Sequence, residues 1–409
     1  MDNEGGGDIP VHLSGPQSRP MPRLLWLFSF VNLVIGSGAF VIGGILAPIA
    51  EGLAISVPAA GQAMTAYALA TALLAPLVLL ASGDWPRKRA LIVALALFTL
   101  GNLLCALAES LLALMLGRVL MGLGAVFTPI AAGIAVAVVE PARCGKALAL
   151  VFLGISLSYV VGVPLGSWLG LAYDWHTPIW LFTALSGLAL LGVAWRVPAD
   201  IRAPGASFAG LSALLARRDV LAVLLLTLAY FTAIFAVFSY IGPVLQALVP
   251  MERGLQSLTL ALFGASGVAG TLIGGLANDR FGARRTLRVQ LCLLGATMAL
   301  LPLTQGSWPL LMTALLVWGT AGFGMMVPQQ SQLAALAPVQ APMLLSLNTS
   351  MLYLGTASGA IVGGAVAARL GFAQLAWAGV PFVVIGLAIL AFVHTSVPAA
   401  TTVQQENAA

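Results

Sequence analysis

The chain is short of charge. Of 409 residues only 8% are Asp, Glu, Lys or Arg, against roughly 25% in an ordinary soluble domain. It is also short of cysteine, with Cys105, Cys144 and Cys292 alone. An odd number without metal-ligand spacing excludes a disulfide framework and a cysteine metal centre. The acids are Asp2, Glu4, Asp8, Glu51, Asp84, Glu109, Glu140, Asp174, Asp200, Asp219, Glu252, Asp279 and Glu406, and none falls inside a long apolar run. A carboxylate at the membrane centre, the usual proton carrier there, is thus missing. No nucleotide-binding loop, catalytic Ser/His/Asp set or metal cluster occurs, and His12, His176 and His394 lie apart. These absences argue against an enzyme and require no cofactor and no metal.

What is abundant is apolar surface, at 60% of residues. A soluble globule of this size could not bury so much, so the chain reads as lipid-embedded. A helix needs about 20 mostly apolar residues to cross a hydrocarbon core of roughly 30 Å. Twelve runs qualify: 24–49, 59–81, 90–108, 111–138, 147–172, 178–195, 220–247, 255–277, 287–304, 309–332, 343–368 and 374–395. They are too long for strands and lack strict alternation, so an all-α integral membrane protein with twelve transmembrane helices is expected over a barrel. Ser56 and Ser307 read as N-caps of two runs. The stretch 1–22 is polar and rich in Gly and Pro, and reads as a disordered tail. It is not a signal peptide, because the first apolar run is long and lacks a short core with a cleavage site. The net charge of +5 does not imply nucleic acid, since the basic residues sit at the edges of apolar runs.

The Lys and Arg distribution sets an orientation. With the N-terminus in the cytoplasm, 15 of the 18 fall on the cytoplasmic side, Arg253 and Arg369 fall outside, and Arg118 lies within the fourth run. Both termini are therefore expected in the cytoplasm, with the protein in the inner (cytoplasmic) membrane. The longest internal polar stretch, 197–219, is expected to link two six-helix bundles, 23–196 and 220–395, with a C-terminal tail at 396–409. The halves echo each other. "GDWPRKR" and "NDRFGARR" each follow the second run of their half. "YVVGVPLGSWLG" matches "TASGAIVGGAVA", aligning Gly162 with Gly359 and Gly166 with Gly363 at an offset of 197. Parallel six-span repeats around a midplane site are a transporter architecture.

Together these features resemble the major facilitator superfamily, and most closely its twelve-span drug and sugar efflux permeases (the arabinose-efflux-permease-like, drug:proton antiporter group). The loop signature of the superfamily stands here as Gly275, Asp279, Arg280, Gly282, Arg284 and Arg285. In the first copy Pro86 takes the second Gly position, as in the efflux group. "RVLMGLGA" resembles the Arg-x-x-x-Gly motif of span four, and "GVPLG" the Gly/Pro motif of span five. "SVPAAGQAMTAYALATALLAPL", "YIGPVLQ" and "LNTSMLYLGTASGAIVGG" look like the group's spans two, seven and eleven. The resemblance runs from the first span to the last. It implies two pseudo-symmetric bundles with alternating access, a monomer in the lipid bilayer, a small organic substrate (a drug, sugar or nucleoside-like molecule) and protons as coupling ion. Two departures stand out. Ala39 occupies a place where the group often has Glu, and Gly83 and Asp84 occupy the Asp and Arg places of the first loop. Uptake by symport or facilitated diffusion stays open on these residues, and so does a non-transporting receptor or sensor on the same fold.

Four sets of candidate residues follow. Arg118 is expected to face a central cavity, because an unpaired cation in a span costs at least about 2.5–3.5 kcal/mol on insertion scales; the alternative is that it snorkels to the outer headgroups or bonds to backbone carbonyls. Asn32, Tyr67, Tyr159, Tyr230, Tyr240, Trp318, Gln329, Asn348 and Tyr353 are candidate cavity contacts as a set, although each alone is more often an interhelical hydrogen bond or an interface aromatic. They fit small neutral, amphipathic or weakly anionic compounds. Asp84, Arg87, Lys88 and Arg89 with Asp279, Arg280, Gly282, Arg284 and Arg285 form a candidate cytoplasmic gate, whose carboxylates would latch onto a facing Arg or helix N-terminus. The alternative is that they are only topological anchors. Gly162, Pro164, Gly166 and Gly170, with Gly359 and Gly363, are expected to give smooth faces for close helix packing, those of span five against the other bundle.

Overall fold

A computed structural model describes residues 23–140, 143–199, 214–337 and 340–392. The expected tails 1–22 and 396–409 and most of the linker 197–219 lie outside the described residues. Within them there is no strand. Eleven helices are long and apolar enough to cross a membrane: α1 Arg23–Gly44, α2 Val57–Leu79, α3 Arg87–Ala106, α4 Leu111–Ala137, α5 Cys144–Ala172, α6 His176–Arg196, α7 Arg218–Phe238, α8 Arg253–Phe281, α9 Ala283–Thr304, α10 Trp308–Leu336 and α11 Met343–Leu370. The twelfth run forms a shorter apolar helix, α12, Leu375–Ala391. Among the described residues the twelve runs thus form twelve helical segments, the last of which extends to the edge of what is described.

The starts and breaks of these helices follow local chemistry. The Ser56 and Ser110 hydroxyls each accept a backbone N–H three residues on, at 3.3 Å, satisfying a donor that the helix leaves free. Ser307 holds the cap position of α10 but makes no such side-chain bond. Proline marks the breaks. Both α4 and α10 interrupt just before Pro129 and Pro328, after Gly124 and Gly324. In α2 and α5 the helix widens into a π turn over Ala70–Leu74 and Ser158–Gly162. Each widened turn ends two residues before a proline, Pro76 or Pro164, whose missing N–H leaves a carbonyl four residues back without its partner.

Packing follows the repeat. In the first half α1 lies against α5 and α6, and α3 against α4 and α6; in the second half α7 lies against α11 and α12, and α9 against α10 and α12. Glycines set the closest approaches. A Cβ on Gly162 would strike the Ser37 side chain, and one on Gly166 would meet Val41. Gly359 and Gly363 likewise bring α11 onto the α7 backbone at Thr232 and Ala236. Gly170 packs on Ile45. The α5 glycines thus join α5 to α1 of their own half, which corrects the expectation that they would face the other bundle. Without a hydrophobic drive between helices in lipid, such small-residue contacts supply the dispersion that holds them. Large apolar side chains such as Leu77, Leu112, Leu276 and Leu303 point outward and are exposed, the lipid-facing belt of a membrane protein.

Candidate functional site

The halves meet along two seams, α2 on α11 and α5 on α8. The end of the molecule bearing the loops 82–86 and 282 is here the basic end; the opposite end is the far end. The closest interhalf contacts lie toward the far end. Tyr240, fully buried, fills the gap between α2 and α11. Its hydroxyl donates to the Ala360 carbonyl (2.9 Å) and accepts from Gln62 Nε2 across the halves (3.4 Å). It fits because Gly61 has no side chain there. Gln256 Nε2 of α8 donates to the Gly44 carbonyl at the tight last turn of α1 (3.4 Å). A Cβ on Gly242 would lie 2.8 Å from that same carbonyl oxygen, and one on Gly43 would lie 2.8 Å from the Phe238 carbonyl oxygen. On the other seam, Gly264 of α8 admits the Tyr159 backbone of α5 so closely that no side chain would fit. "GASGVAG" in α8 is thus a packing stretch with two partners: Gly264 meets α5 of the other half, while Gly267 and Gly270 admit Phe323 and Thr320 of α10 in their own half.

Just inside this seal stands a continuous group of aromatic rings. Phe40 of α1 contacts Tyr67 (6.5 Å), Tyr159 (5.1 Å), Phe235 (5.9 Å) and Phe238 (6.4 Å), measured between ring centroids. Tyr67 reaches Tyr353 of α11 at 6.1 Å, and Tyr159 reaches Phe323 of α10 at 5.1 Å. Edge-to-face and offset contacts of this kind add about 0.5–1.5 kcal/mol each beyond area burial. Tyr159, Phe323 and Tyr353 are only partly buried although they stand between the halves. The group therefore presents aromatic faces and Tyr hydroxyls to the space between the bundles. Of these rings the sequence pointed to Tyr67, Tyr159 and Tyr353. It missed Phe40, Phe235, Phe238 and Phe323. Phe231, Phe235 and Phe238 repeat at helical spacing on α7, a visible signal that does not by itself separate a core stripe from a cavity wall.

Arg118 does not open onto that space. It is 1% exposed, and its guanidinium is spent on backbone. Nε donates to the Ala63 carbonyl (3.2 Å), Nη1 to the Gly38 carbonyl (2.8 Å) and Nη2 to the Ala39 carbonyl. The charge lies 4.8 Å from the centroid of the Tyr67 ring, a cation–π contact strengthened by desolvation. Arg118 thus stands one layer behind the aromatic wall and ties α4 to α1 and α2. Burial without a carboxylate is tolerated because the guanidinium is hydrogen-bonded on all three nitrogens, to three carbonyls and to the Met121 sulfur (3.8 Å). This corrects the expectation of a cavity-facing cation.

Several other candidates also turn inward into their own half. Asn32 donates to the Val151 carbonyl (3.0 Å) and accepts from Thr128 (2.7 Å), binding α1, α5 and α4 together. In the second half Gln329 donates to Thr227 (2.8 Å) and the Val223 carbonyl (2.6 Å), and Thr227 donates to Asn348 (2.6 Å). That cluster binds α7, α10 and α11, the counterpart of the Asn32 tie. Trp318 is buried on Phe263 (5.0 Å) and Tyr230 on Phe231 (4.7 Å). Tyr240 belongs to the seal.

At the basic end both candidate latch carboxylates, Asp84 and Asp279, are exposed. Among the described residues the two ion pairs are Asp174–His176 and Arg217–Asp219, so neither latch is engaged through an ion pair in this conformation. Arg87 donates to the Gly83 carbonyl (3.1 Å), Arg284 to the Ala391 carbonyl (3.0 Å), and Arg89 stacks over Trp85 (4.7 Å). Arg280 lies over Phe281 at 5.3 Å. Gly282 has φ +79°, a conformation that L side chains avoid, which explains the glycine of the second loop. The first loop turns instead through Pro86 at φ −52°. Lys88 is partly exposed and Arg285 fully so. Every described acid away from these loops also lies near a helix end, and none is buried.

Two helical bundles sealed at one end over an aromatic group, with unlatched loops at the other, define a polytopic membrane protein of the transporter type. The chain belongs to the Major Facilitator Superfamily, whose family profile matches residues 28–335 and again 251–408. It is 32% identical to the inner membrane transport protein YdhP of Escherichia coli (strain K12) over 367 residues, covering 88% of this chain and 94% of that one. It is 27% identical to a probable sugar efflux transporter of Pasteurella multocida (strain Pm70), over 90% of this chain and 91% of that one. The fold superposes on a bacterial homologue of the human lysosomal transporter Spinster with TM-score 0.76 at 16% identity, covering 92% and 97% of the two chains. The protein is a multi-pass membrane transporter of this superfamily.

Proposed function

We propose that this transporter exports a small, uncharged or weakly anionic organic molecule from the cytoplasm by alternating access, in exchange for protons. The observation that carries the reading is the aromatic group around Phe40. It lies beneath a far-end seal, while Asp84 and Asp279 at the basic end are exposed and enter no ion pair among the described residues. With the basic end in the cytoplasm, the orientation that the Lys and Arg bias favours, this arrangement fits an inward-open conformation. Aromatic rings, with Arg118 turned onto backbone carbonyls, favour sugar-, nucleoside- or drug-like compounds over dications. The sugar efflux assignment of the Pasteurella relative supports the same class and direction.

Proton antiport rests on the resemblance to the efflux group, and the carboxylates available to it are those at helix ends: Asp84, Glu140 and Asp279. In the same reading Asp279 latches the basic end when the protein opens outward. The test is transport in proteoliposomes. Labelled sugars, nucleosides and lipophilic drugs are screened for counterflow, and then for uptake with and without an imposed pH gradient. Flux that rises with the gradient supports antiport; flux indifferent to it rejects antiport and leaves facilitated diffusion. Binding without counterflow would make the protein a sensor. Asp279→Asn is expected to abolish gradient-driven flux, while Asp84→Asn has the smaller effect because its loop departs from the family pattern.

A further inference from the structure

On the lipid-facing side of the second half, α8, α9 and α10 enclose a groove of about 910 Å³. That lies within the roughly 300–1,000 Å³ that accommodates small organic ligands. Its walls are apolar: Ile273 of α8, Val289 and Leu293 of α9 and Leu316 of α10 all line it and are exposed. At its basic-end mouth stand Arg285 and Arg288. The order along α9 is the telling feature. Arg285, Arg288, Val289 and Leu293 recur at three- and four-residue spacing, so they share one helix face. Two cations lie at the membrane edge and apolar side chains follow toward the membrane centre. Neither arginine has an acidic partner among the described residues. Their neighbour Arg284 turns elsewhere and is bonded to the Ala391 carbonyl.

We propose that this groove is a binding site for an anionic glycerophospholipid. Its phosphate sits between Arg285 and Arg288, and an acyl chain lies along Val289 and Leu293. Paired guanidiniums match phosphate oxygens in geometry as well as in charge, and basic pockets between spans at the cytoplasmic face take anionic headgroups. Charge complementarity selects the headgroup, and the apolar wall selects a chain-bearing ligand over free phosphate. The site is separate from the space between the halves, so it stands whether or not the export reading holds.

The test is lipid retention by the purified full-length protein. Wild type is reconstituted into nanodiscs holding equal parts palmitoyl-oleoyl phosphatidylglycerol and phosphatidylcholine, extracted, and examined by native mass spectrometry. Retained phosphatidylglycerol over phosphatidylcholine is expected, and the double variant Arg285→Gln/Arg288→Gln should lower that retention roughly tenfold. Val289→Trp, which fills the groove and leaves both charges, should lower it as well. It also decides the matter if the double variant fails to fold. Arg196→Gln, at the basic end of α6, should retain lipid as wild type does. Equal retention of the two lipids overturns the proposal. So does undiminished retention in both groove variants, or inorganic phosphate stripping the lipid completely.

Discussion

The two halves of the molecule share a packing plan but not a backbone. In the first half α2 and α5 each widen into a π turn ahead of Pro76 and Pro164. Their counterparts in the second half, α8 and α11, contain no such turn and run as single helices of 29 and 28 residues. At the offset of 197 that aligns the α5 and α11 glycines, Ile273 and Ile361 stand where the prolines are. The α4/α10 pair shows the same contrast in a side chain. Each helix breaks before its proline, and six residues before the break stands Arg118 in one and Trp318 in the other, both buried. The repeat thus conserves the geometry of close packing while the two halves fill it differently. The first half places a cation on backbone carbonyls and softens two helices. The second stays straight and packs an indole on Phe263. Each seam thus sets a helix with a π turn against one without.

Changes at those paired places break or sharpen this comparison. The largest effect is expected at Arg118. Arg118→Met removes the charge-assisted bonds to the Gly38, Ala39 and Ala63 carbonyls, each worth about 1.5–3 kcal/mol. Transport should be lost and the thermal unfolding temperature in detergent should fall sharply. Trp318→Phe at the matching place should cost only about 1–2 kcal/mol, as a smaller ring in the same pocket. If the two variants unfold alike, Arg118 has no special role as a tie.

Next is Gly264→Val. The added side chain strikes the Tyr159 backbone, so the α5–α8 seam cannot close. The far end should become reactive to a membrane-impermeant thiol reagent at a cysteine placed on Gln62, and turnover should fall more than tenfold. Unchanged labelling would show that the seam does not seal the far end.

Pro164→Ala restores the N–H that Val160 lacks and should return α5 to a regular helix. A severalfold slower turnover with unchanged ligand affinity is expected, whereas Ile361→Ala in the straight counterpart should leave turnover near wild type. Equal slowing by both would remove the asymmetry argument.

The smallest effect is expected from Tyr240→Phe. It deletes the hydroxyl bonded to Ala360 and Gln62, a loss of about 1 kcal/mol. That shifts the balance toward far-end opening by roughly fivefold, measurable as a change in the distance distribution between spin labels across the seal.

Much of this molecule was fixed by the chain itself. Scarce charge, long apolar runs and basic loop edges determine a helical membrane protein in two halves, because lipid tolerates only backbone that bonds internally. Prolines 76, 129, 164 and 328 determine where helices widen or break, because a missing N–H is local. Gly282 is legible as a turn because a positive φ, here +79°, is likewise a local demand that glycine meets. Which helix each glycine face meets was not legible. Gly162 and Gly166 look like an interface stripe, yet only the tertiary structure decides that the partner is α1 of their own half and that Gly264 is the contact across the seam. The role of Arg118 was decided in the same way. Its sequence position announces a costly buried cation, but the carbonyls that satisfy it lie 55 to 80 residues away, and only folding brings them within reach.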